Sequence, residues 1–196
     1  MPRPRSLTQP QLAAAALAVI DRDGLGGLTM RAVADQLGMS TMALYRYVRD
    51  REELERLVVE LVLEAVDPSR PTEDTWRRQI EVLVGRIRDA IGAHPAIVPL
   101  TLIHRQSLPA PLRWGESVLA VLADAGVEAA RRPVALRGLM SYVVGAIQLE
   151  HLDEIDPAEG RHRGDALSQT ARHGRTIGPD EEFGGGLAIL LDGLRL

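Results

Sequence analysis

Between Leu28 and Tyr47 the chain reads LTMRAVADQLGMSTMALYRY, and this stretch carries the side chains best suited to engaging another molecule. Thr41, Tyr45, Arg46 and Tyr47 offer hydroxyl, phenol and guanidinium groups beside the methyl-bearing Met42 and Ala43. A hydroxyl or phenol near a helix N-terminus can hold a phosphate. An arginine can hold a phosphate or read guanine in the major groove, and methyl groups can touch thymine. The chemistry on offer is recognition of a nucleic acid, with no bond made or broken.

Two helices must position these groups. Thr29 suits the N-cap of a segment whose apolar residues Met30, Val33, Ala34 and Leu37 fall at i, i+3, i+4 and i+7, one face of an α-helix. Gly38 predicts the stop, because a glycine just past the last periodic residue can take the left-handed conformation, and Ser40 predicts the next N-cap. In the second helix Leu44 and Val48 are expected to face the core, leaving Thr41, Met42, Tyr45, Arg46 and Tyr47 mostly on other sides. The turn of about three residues is that of a helix-turn-helix. A pair of short capped helices is also common in ordinary helical domains.

From Thr8 to about Val66 the sequence resembles the DNA-binding domain of the tetracycline-repressor (TetR) family: an alanine-rich first helix, then GLGGLTMRAVADQLG, then STMALYRYVRDREEL. The resemblance implies that Thr29 and Arg31 at the start of helix two, Thr41, Met42, Ala43, Tyr45, Arg46 and Tyr47 on helix three, and Arg51 opening helix four meet DNA. Met42 and Ala43 carry no polar group, which implies thymine-methyl contact over hydrogen-bonded readout. It also implies that ligand binding in a second domain moves helix four and changes the separation of two recognition helices in a dimer.

Composition sets bounds around that reading. A chain of 196 residues suits one or two small domains. Residues 1–51 hold seven Arg and four Asp, a balance of +3 that leaves −7 for the remainder of a chain with net charge −4. A basic head on an acidic body is what a DNA reader with a second, non-DNA-binding domain would show. All 23 basic residues are arginine, which suggests no mechanism. With no cysteine, a disulfide framework, a thiol nucleophile and a zinc finger are excluded. MPRPRSLTQP lacks the apolar stretch of a signal peptide and no run approaches about 18 apolar residues, so the expected location is cytoplasmic, with no membrane partner.

Taken in order, residues 1–7 form a basic, proline-rich arm that reads chiefly as a solvated tail and alternatively as a reach along a phosphate backbone. Thr8 caps helix one with Gln11 completing a capping box; Leu12, Ala16, Val19 and Ile20 form its buried stripe, and Gly24, Gly26 and Gly27 end it. Asp50 and Glu53 open helix four as a second box, with Leu54, Leu57, Val58, Leu61 and Ala65 on one face and a stop near Asp67–Pro68. After DPSRP, Thr72 is expected to cap a helix with Glu73 and Asp74 in its first turn and Trp76, Ile80, Leu83, Ile87 and Ala90 or Ile91 buried. Pro95 and Pro99 allow only short pieces in AIVPLTLIHR. Pro109 to Ala125 reads as a helix with Leu112, Gly115, Leu119 and Leu122 inward, and another runs from about Pro133 to Ile155. Residues 156–180 read as loop around a weak helix near Ala166–Arg172.

The expected architecture is all-α: a helix-turn-helix domain over residues 1–50, a connecting helix over 51–67, and a helical effector-binding and dimerisation domain over 68–196. Gly138, Ser141 and Gly145 leave one helix face nearly bare, for which packing within the chain is a sufficient explanation. The closing FGGGLAILLDGLRL places Phe183, Leu187, Leu190 and Leu194 on an amphipathic helix that needs a partner. It resembles the C-terminal signature of the branch closest to the tetracycline repressor, where the eighth and tenth helices of two subunits form a four-helix interface. The resemblance implies a homodimer with Gly138, Ser141, Gly145, Leu187, Leu190 and Leu194 at the seam.

The partners expected are a pseudo-palindromic double-stranded DNA operator, whose repressor is released by an inducer, and a small-molecule effector of unknown identity, with no cofactor. Trp76, His104, Arg105, Trp114, Met140, Tyr142, Glu150 and His151 are the polar or aromatic side chains expected near the effector, though tryptophans at helical spacing are usually core. Tetracycline repressors bind a magnesium-bound drug, and His151 with Glu150, Asp153 or Glu154 offers donors. Leu149, however, stands where those repressors carry a carboxylate, and Glu150 is turned about 100° away. No metal site is expected, and the departure argues against tetracycline. No nucleophile–base pair, phosphate cradle or metal-ligand spacing points to an enzyme. An architectural or protein-binding use of the two-helix unit is the other alternative.

Overall fold

The computed structural model of the protein describes residues 7–155 and 177–194, which hold α-helix, short 3-10 turns and no strand. The elements are α1 (Gln9–Asp23), α2 (Met30–Gln36), α3 (Thr41–Leu44), α4 (Arg51–Glu64), α5 (Trp76–Gly92), α6 (Val98–His104), α7 (Pro109–Asp124), α8 (Arg132–Ile155) and α9 (Pro179–Asp192). The basic arm before residue 7 and the loop expected from 156, with its weak helix, fall outside the described residues as far as 176.

The chain divides into two compact units. The first comprises Met1–Pro68 together with Asp89–Gly115; the second comprises Ser69–Arg88 and Glu116–Leu196. Of the three boundaries, the one after Pro68 falls between α4 and α5, and the other two fall inside a helix, one in α5 and one in α7.

Local signals account for the first unit. Thr8 and Gln11 form the full capping box of α1, with Gln11 N–H donating to Thr8 Oγ1 and Thr8 N–H donating to Gln11 Oε1. Leu12, Ala16, Val19 and Ile20 are all buried. On α4, Asp50 accepts from Glu53 N–H at 2.8 Å, but the reciprocal half of the expected box is absent. Glu53 Oε2 instead accepts from the Arg49 backbone N–H at 2.8 Å, one residue earlier, and from the Arg49 guanidinium at 3.1 Å. Those bonds, the backbone one foremost, hold the Glu53 carboxyl below the usual carboxylate range.

The buried faces of three helices differ from the expected ones. On α4, Leu54 and Val58 are buried as expected, but Val59, Val62 and Leu63 complete the face, while Leu57 and Leu61 are half-buried and Ala65 is exposed. α1 and α6 both pack on α4, so its buried arc is wider than a single stripe. Thr75, not Thr72, caps α5: its Oγ1 accepts from Arg78 N–H at 3.2 Å, so Glu73 and Asp74 precede the helix. Ile80, Leu83, Ile87 and Ile91 are buried there as expected, with Val84 beside them and Trp76 half-buried. On α7 the buried set is Ala110, Trp114, Gly115, Val118, Val121 and Leu122, with Gly115 and Leu122 as expected; Leu112 is 47 % exposed and Leu119 half-buried. Trp114, the largest apolar side chain of α7, selects the register, and Leu112 lies about 200° around the helix from it.

In the second unit Arg88 of α5 is the junction of three helices. Its guanidinium donates to Glu150 of α8 at 2.8 Å and to Asp180 of α9 at 2.7 Å, and lies 4.4 Å from the centre of the Phe183 ring. Tyr142 of α8 donates its hydroxyl to the Phe183 carbonyl at 2.6 Å, and the two rings stand 5.1 Å apart. That contact explains one glycine of the GGG run: a Cβ at Gly186 would collide with the Tyr142 phenol ring. Arg77 and Asp192 pair α5 to the far end of α9. Phe183, Leu187 and Leu191 are the buried face of α9; Leu190 is half-buried at its flank.

Gly38 supplies a test of the local argument. Its φ is +66° and no atom lies within 4 Å of where a Cβ would stand, so only backbone conformation opposes a side chain there. Gly38→Ala is expected to cost about 1–2 kcal/mol, lowering the melting temperature by roughly 2–8 °C. Calorimetry with the neighbouring Met39→Ala as control checks it.

Candidate nucleic-acid interface

The two-helix unit is built by three backbone devices. Thr29 Oγ1 accepts from Ala32 N–H at 3.0 Å and starts α2. At its other end Gly38 N–H donates to Asp35 O at 3.1 Å and Met39 N–H donates to Ala34 O at 3.0 Å, the paired bonds of a Schellman stop with Gly38 in the left-handed position. Ser40 Oγ then accepts from Ala43 N–H at 3.2 Å and starts α3.

α3 is four residues long, and hydrogen-bonded turns carry the chain on through Tyr47 and Val48. Leu44 and Val48 are buried, as expected. The opposite side presents Met42 (77 % exposed), Tyr45 (48 %) and Tyr47 (40 %) with exposed Arg46, while Thr41 and Ala43 are half-buried. Large apolar and aromatic groups in this much water, next to a guanidinium, form an exposed patch suited to a partner.

The predicted arginines are not equivalent. Arg46 makes no ion pair among the described residues. Arg31 lies 3.8 Å from Asp35 on the same helix, a long and fully hydrated pair that leaves its donors available. Arg51 is engaged: Nε donates to Glu55 Oε1 at 2.9 Å and Nη2 to the Leu25 carbonyl at 3.2 Å, fastening the loop before α2 to α4. Arg22, which no motif singles out, donates to Gln36 Oε1 at 2.9 Å and ties the end of α1 to the end of α2. No sequence pattern separates an arginine that braces from one that is free, because that depends on which carbonyl or carboxylate the fold brings near.

The eight side chains expected near an effector are drawn from both units. His104, Arg105 and Trp114 belong to the first unit, and Trp76, Met140, Tyr142, Glu150 and His151 to the second. His104 and Trp114 are buried, and Arg105 is exposed with its guanidinium turned back to the Leu102 carbonyl. Tyr142 and Glu150 come together around Arg88 and Phe183, where burial first and then the Glu182 carboxylate push the Tyr142 phenol up. Glu150 is thus committed to Arg88. His151 is half-buried with its Nδ1 unbonded. Trp76, half-buried, has the Arg77 guanidinium 5.3 Å from its ring.

Of the residues expected at a seam between subunits, Leu187 is buried within the chain and Leu190 and Leu194 are half-buried. On the small-residue face of α8, Gly138 and Gly145 are half-buried with nothing within 4 Å of a would-be Cβ, and Ser141 between them is exposed. That face continues through Val134 (71 % exposed) and Leu149 (65 %), and α9 presents Ile189 at 76 %. None of these three is among the residues expected at a seam, because periodicity marks the buried stripe and gives no reason to place an apolar residue opposite it.

Comparison with known proteins bears on both halves. Residues 67–196 match the family described as Tetracyclin repressor-like, C-terminal domain, and residues 12–56 match Bacterial regulatory proteins, tetR family. The HTH-type transcriptional repressor DrrR1 of Streptomyces coeruleorubidus is 29 % identical over 215 aligned positions, covering 100 % of this chain and 79 % of that protein. Tetracycline repressor protein class A from transposon 1721, of Escherichia coli, is 32 % identical over 190 positions, covering 92 % of this chain and 87 % of that one. Among solved structures, that of BioQ with its natural double-stranded DNA operator aligns with a TM-score of 0.69 at 27 % identity, over 96 % of this chain and 98 % of that chain.

Proposed function

The chain belongs to the tetR family of bacterial regulatory proteins, and on that premise we propose that it is a transcriptional repressor that a small molecule releases from its DNA operator. The observation that carries the reading is the exposed face of α3, where Met42, Tyr45, Arg46 and Tyr47 stand in water on a helix pinned by buried Leu44. In this reading α3 enters the major groove, Thr41 and the two tyrosines hold phosphates, and Arg46 holds a phosphate or reads guanine. Thr29, Arg31, Met42 and Ala43 complete the contact, and Arg51 braces the loop that orients it. The protein is not an enzyme.

The partner for the bare face of α8 is a second copy of the chain. Val134, Gly138, Ser141, Gly145 and Leu149 lie along one stripe of α8, and Ile189 projects from the outer face of α9. Small residues let a second backbone approach, and the apolar ends gain burial. A homodimer places two α3 helices about 34 Å apart, one turn of DNA, so the operator is a pseudo-palindrome. An effector that moves the dimer from mostly bound to mostly free must favour the released form by roughly 5 kcal/mol. Among the described residues no helix is long and apolar enough to cross a membrane, and a regulator of this kind acts where the DNA is, in the cytoplasm.

Selection of bound sequences from a genomic pool at two salt concentrations tests the function. One enriched pseudo-palindrome is the expected outcome; salt-sensitive binding without sequence preference would leave an architectural protein instead. On the selected site, Arg46→Ala is expected to weaken binding by about 1–3 kcal/mol. If Arg46 holds a phosphate the salt slope falls by about one unit, whereas if it reads guanine the slope persists and one base position loses preference. Ile189→Glu places a charge in the proposed apolar seam. Sedimentation is expected to show monomer for this variant and dimer for the wild type; an unaltered dimer would move the interface elsewhere.

A further inference from the structure

Within the first unit, the 89–115 segment meets the DNA-binding helices at two places, and a histidine faces a carboxylate at each. At the C-terminal turn of α1, Asp21 holds His94 Nδ1 at 2.9 and 3.1 Å through its two carboxylate oxygens. His94 directly precedes the 3-10 turn Pro95–Ile97, which packs on α1. On α4, Glu55 Oε2 lies 3.7 Å from Nε2 of His104, the last residue of α6, and α6 packs on α4. Both histidines come from the 89–115 segment, and both carboxylates from the helices that flank the α2–α3 pair.

The two pairs are in different states. The first is closed and half in water. The second is buried and open: 3.7 Å exceeds a hydrogen bond, and His104 Nε2 has no hydrogen-bond partner. A buried nitrogen left unbonded favours any movement that closes it, and a shift of about 0.7 Å suffices. Glu55 is also the partner of Arg51, whose other arm holds the Leu25 carbonyl ahead of α2. Hydrogen bonds thus link Glu55 of α4 to the loop that leads into α2, and the open approach of His104 brings α6 to the same carboxylate.

We propose that Asp21–His94 and Glu55–His104 are two clasps through which the 89–115 segment positions the DNA-binding helices, so that four residues away from the recognition face set operator affinity. None of the four lies on α3; they act through the placement of α1 and α4. The proposal rests on the operator-binding reading, and its test carries a readout that needs no DNA.

The experiment uses the full chain and the selected operator, with dissociation constants from fluorescence anisotropy. Asp21→Ala and His94→Ala are each expected to raise Kd by about tenfold. The double variant should be no weaker than either single one, and Asp21→Glu should restore binding to within about threefold of wild type. Unchanged affinity, tighter binding, or additive losses overturn the clasp. His104→Leu separates positioning from plain stability: removing an unbonded buried nitrogen is expected to raise the melting temperature while also raising Kd. A rise in the first with no change in the second overturns the role of His104. Without DNA, amide exchange in α1 and α4 is expected to quicken alike in Asp21→Ala and His94→Ala. If no operator is ever enriched the repressor reading fails by itself, and unchanged exchange protection overturns the clasp independently.

Discussion

A helix of four residues has no stability of its own, and the exposed face of α3 exists because Leu44 and Val48 are sunk in the core of the first unit. Everything on the proposed DNA-facing side depends on that anchor. Full burial of a leucine side chain is worth about 1.5–3 kcal/mol, more than any one cap or surface ion pair nearby. The caps at Thr29, Gly38 and Ser40 do a different job: they fix where α2 stops and α3 starts, so that Leu44 points inward and Met42, Tyr45 and Arg46 do not. Burial supplies the energy and the caps supply the register.

The second unit has a different keystone. Arg88 is largely buried and bonded to carboxylates on two other helices, with an aromatic face against it. Such a charge is tolerated because its donors are occupied: Glu150 and Asp180 both pair with it, and either one alone still leaves the guanidinium a carboxylate partner. Tyr142 completes the arrangement by lying on the backbone at Gly186 and bonding the Phe183 carbonyl. Two of the side chains expected to meet an effector, Tyr142 and Glu150, are thus already occupied in holding α8, α9 and α5 together.

The distribution of paired arginines also separates braced from free side chains around α3. Arg22, Arg49 and Arg51 close bonds between elements or onto the next turn, whereas Arg46 has no ionic partner among the described residues and stands among the exposed aromatics. A cation kept free beside hydroxyls and methyl groups retains its full attraction for a phosphate.

What the sequence determined by itself was whatever is settled within a few residues of chain. Thr8 with Gln11, Thr29, the left-handed Gly38, Ser40 and Asp50 are local capping chemistry, and the apolar stripe of α1 is local periodicity; both were legible without coordinates. Tertiary structure decided what depends on a distant partner. It made Val59, Val62 and Leu63 core because two helices pack on α4, and it turned Leu112 out because Trp114 was the better fit. It drew Glu53 to Arg49 and Arg51 to Leu25, and it brought His94 and His104 against Asp21 and Glu55 across 73 residues of chain in the first case. A side chain's type and spacing fix which face and which bond it can offer; which neighbour accepts is fixed only when helices far apart in sequence are packed against one another.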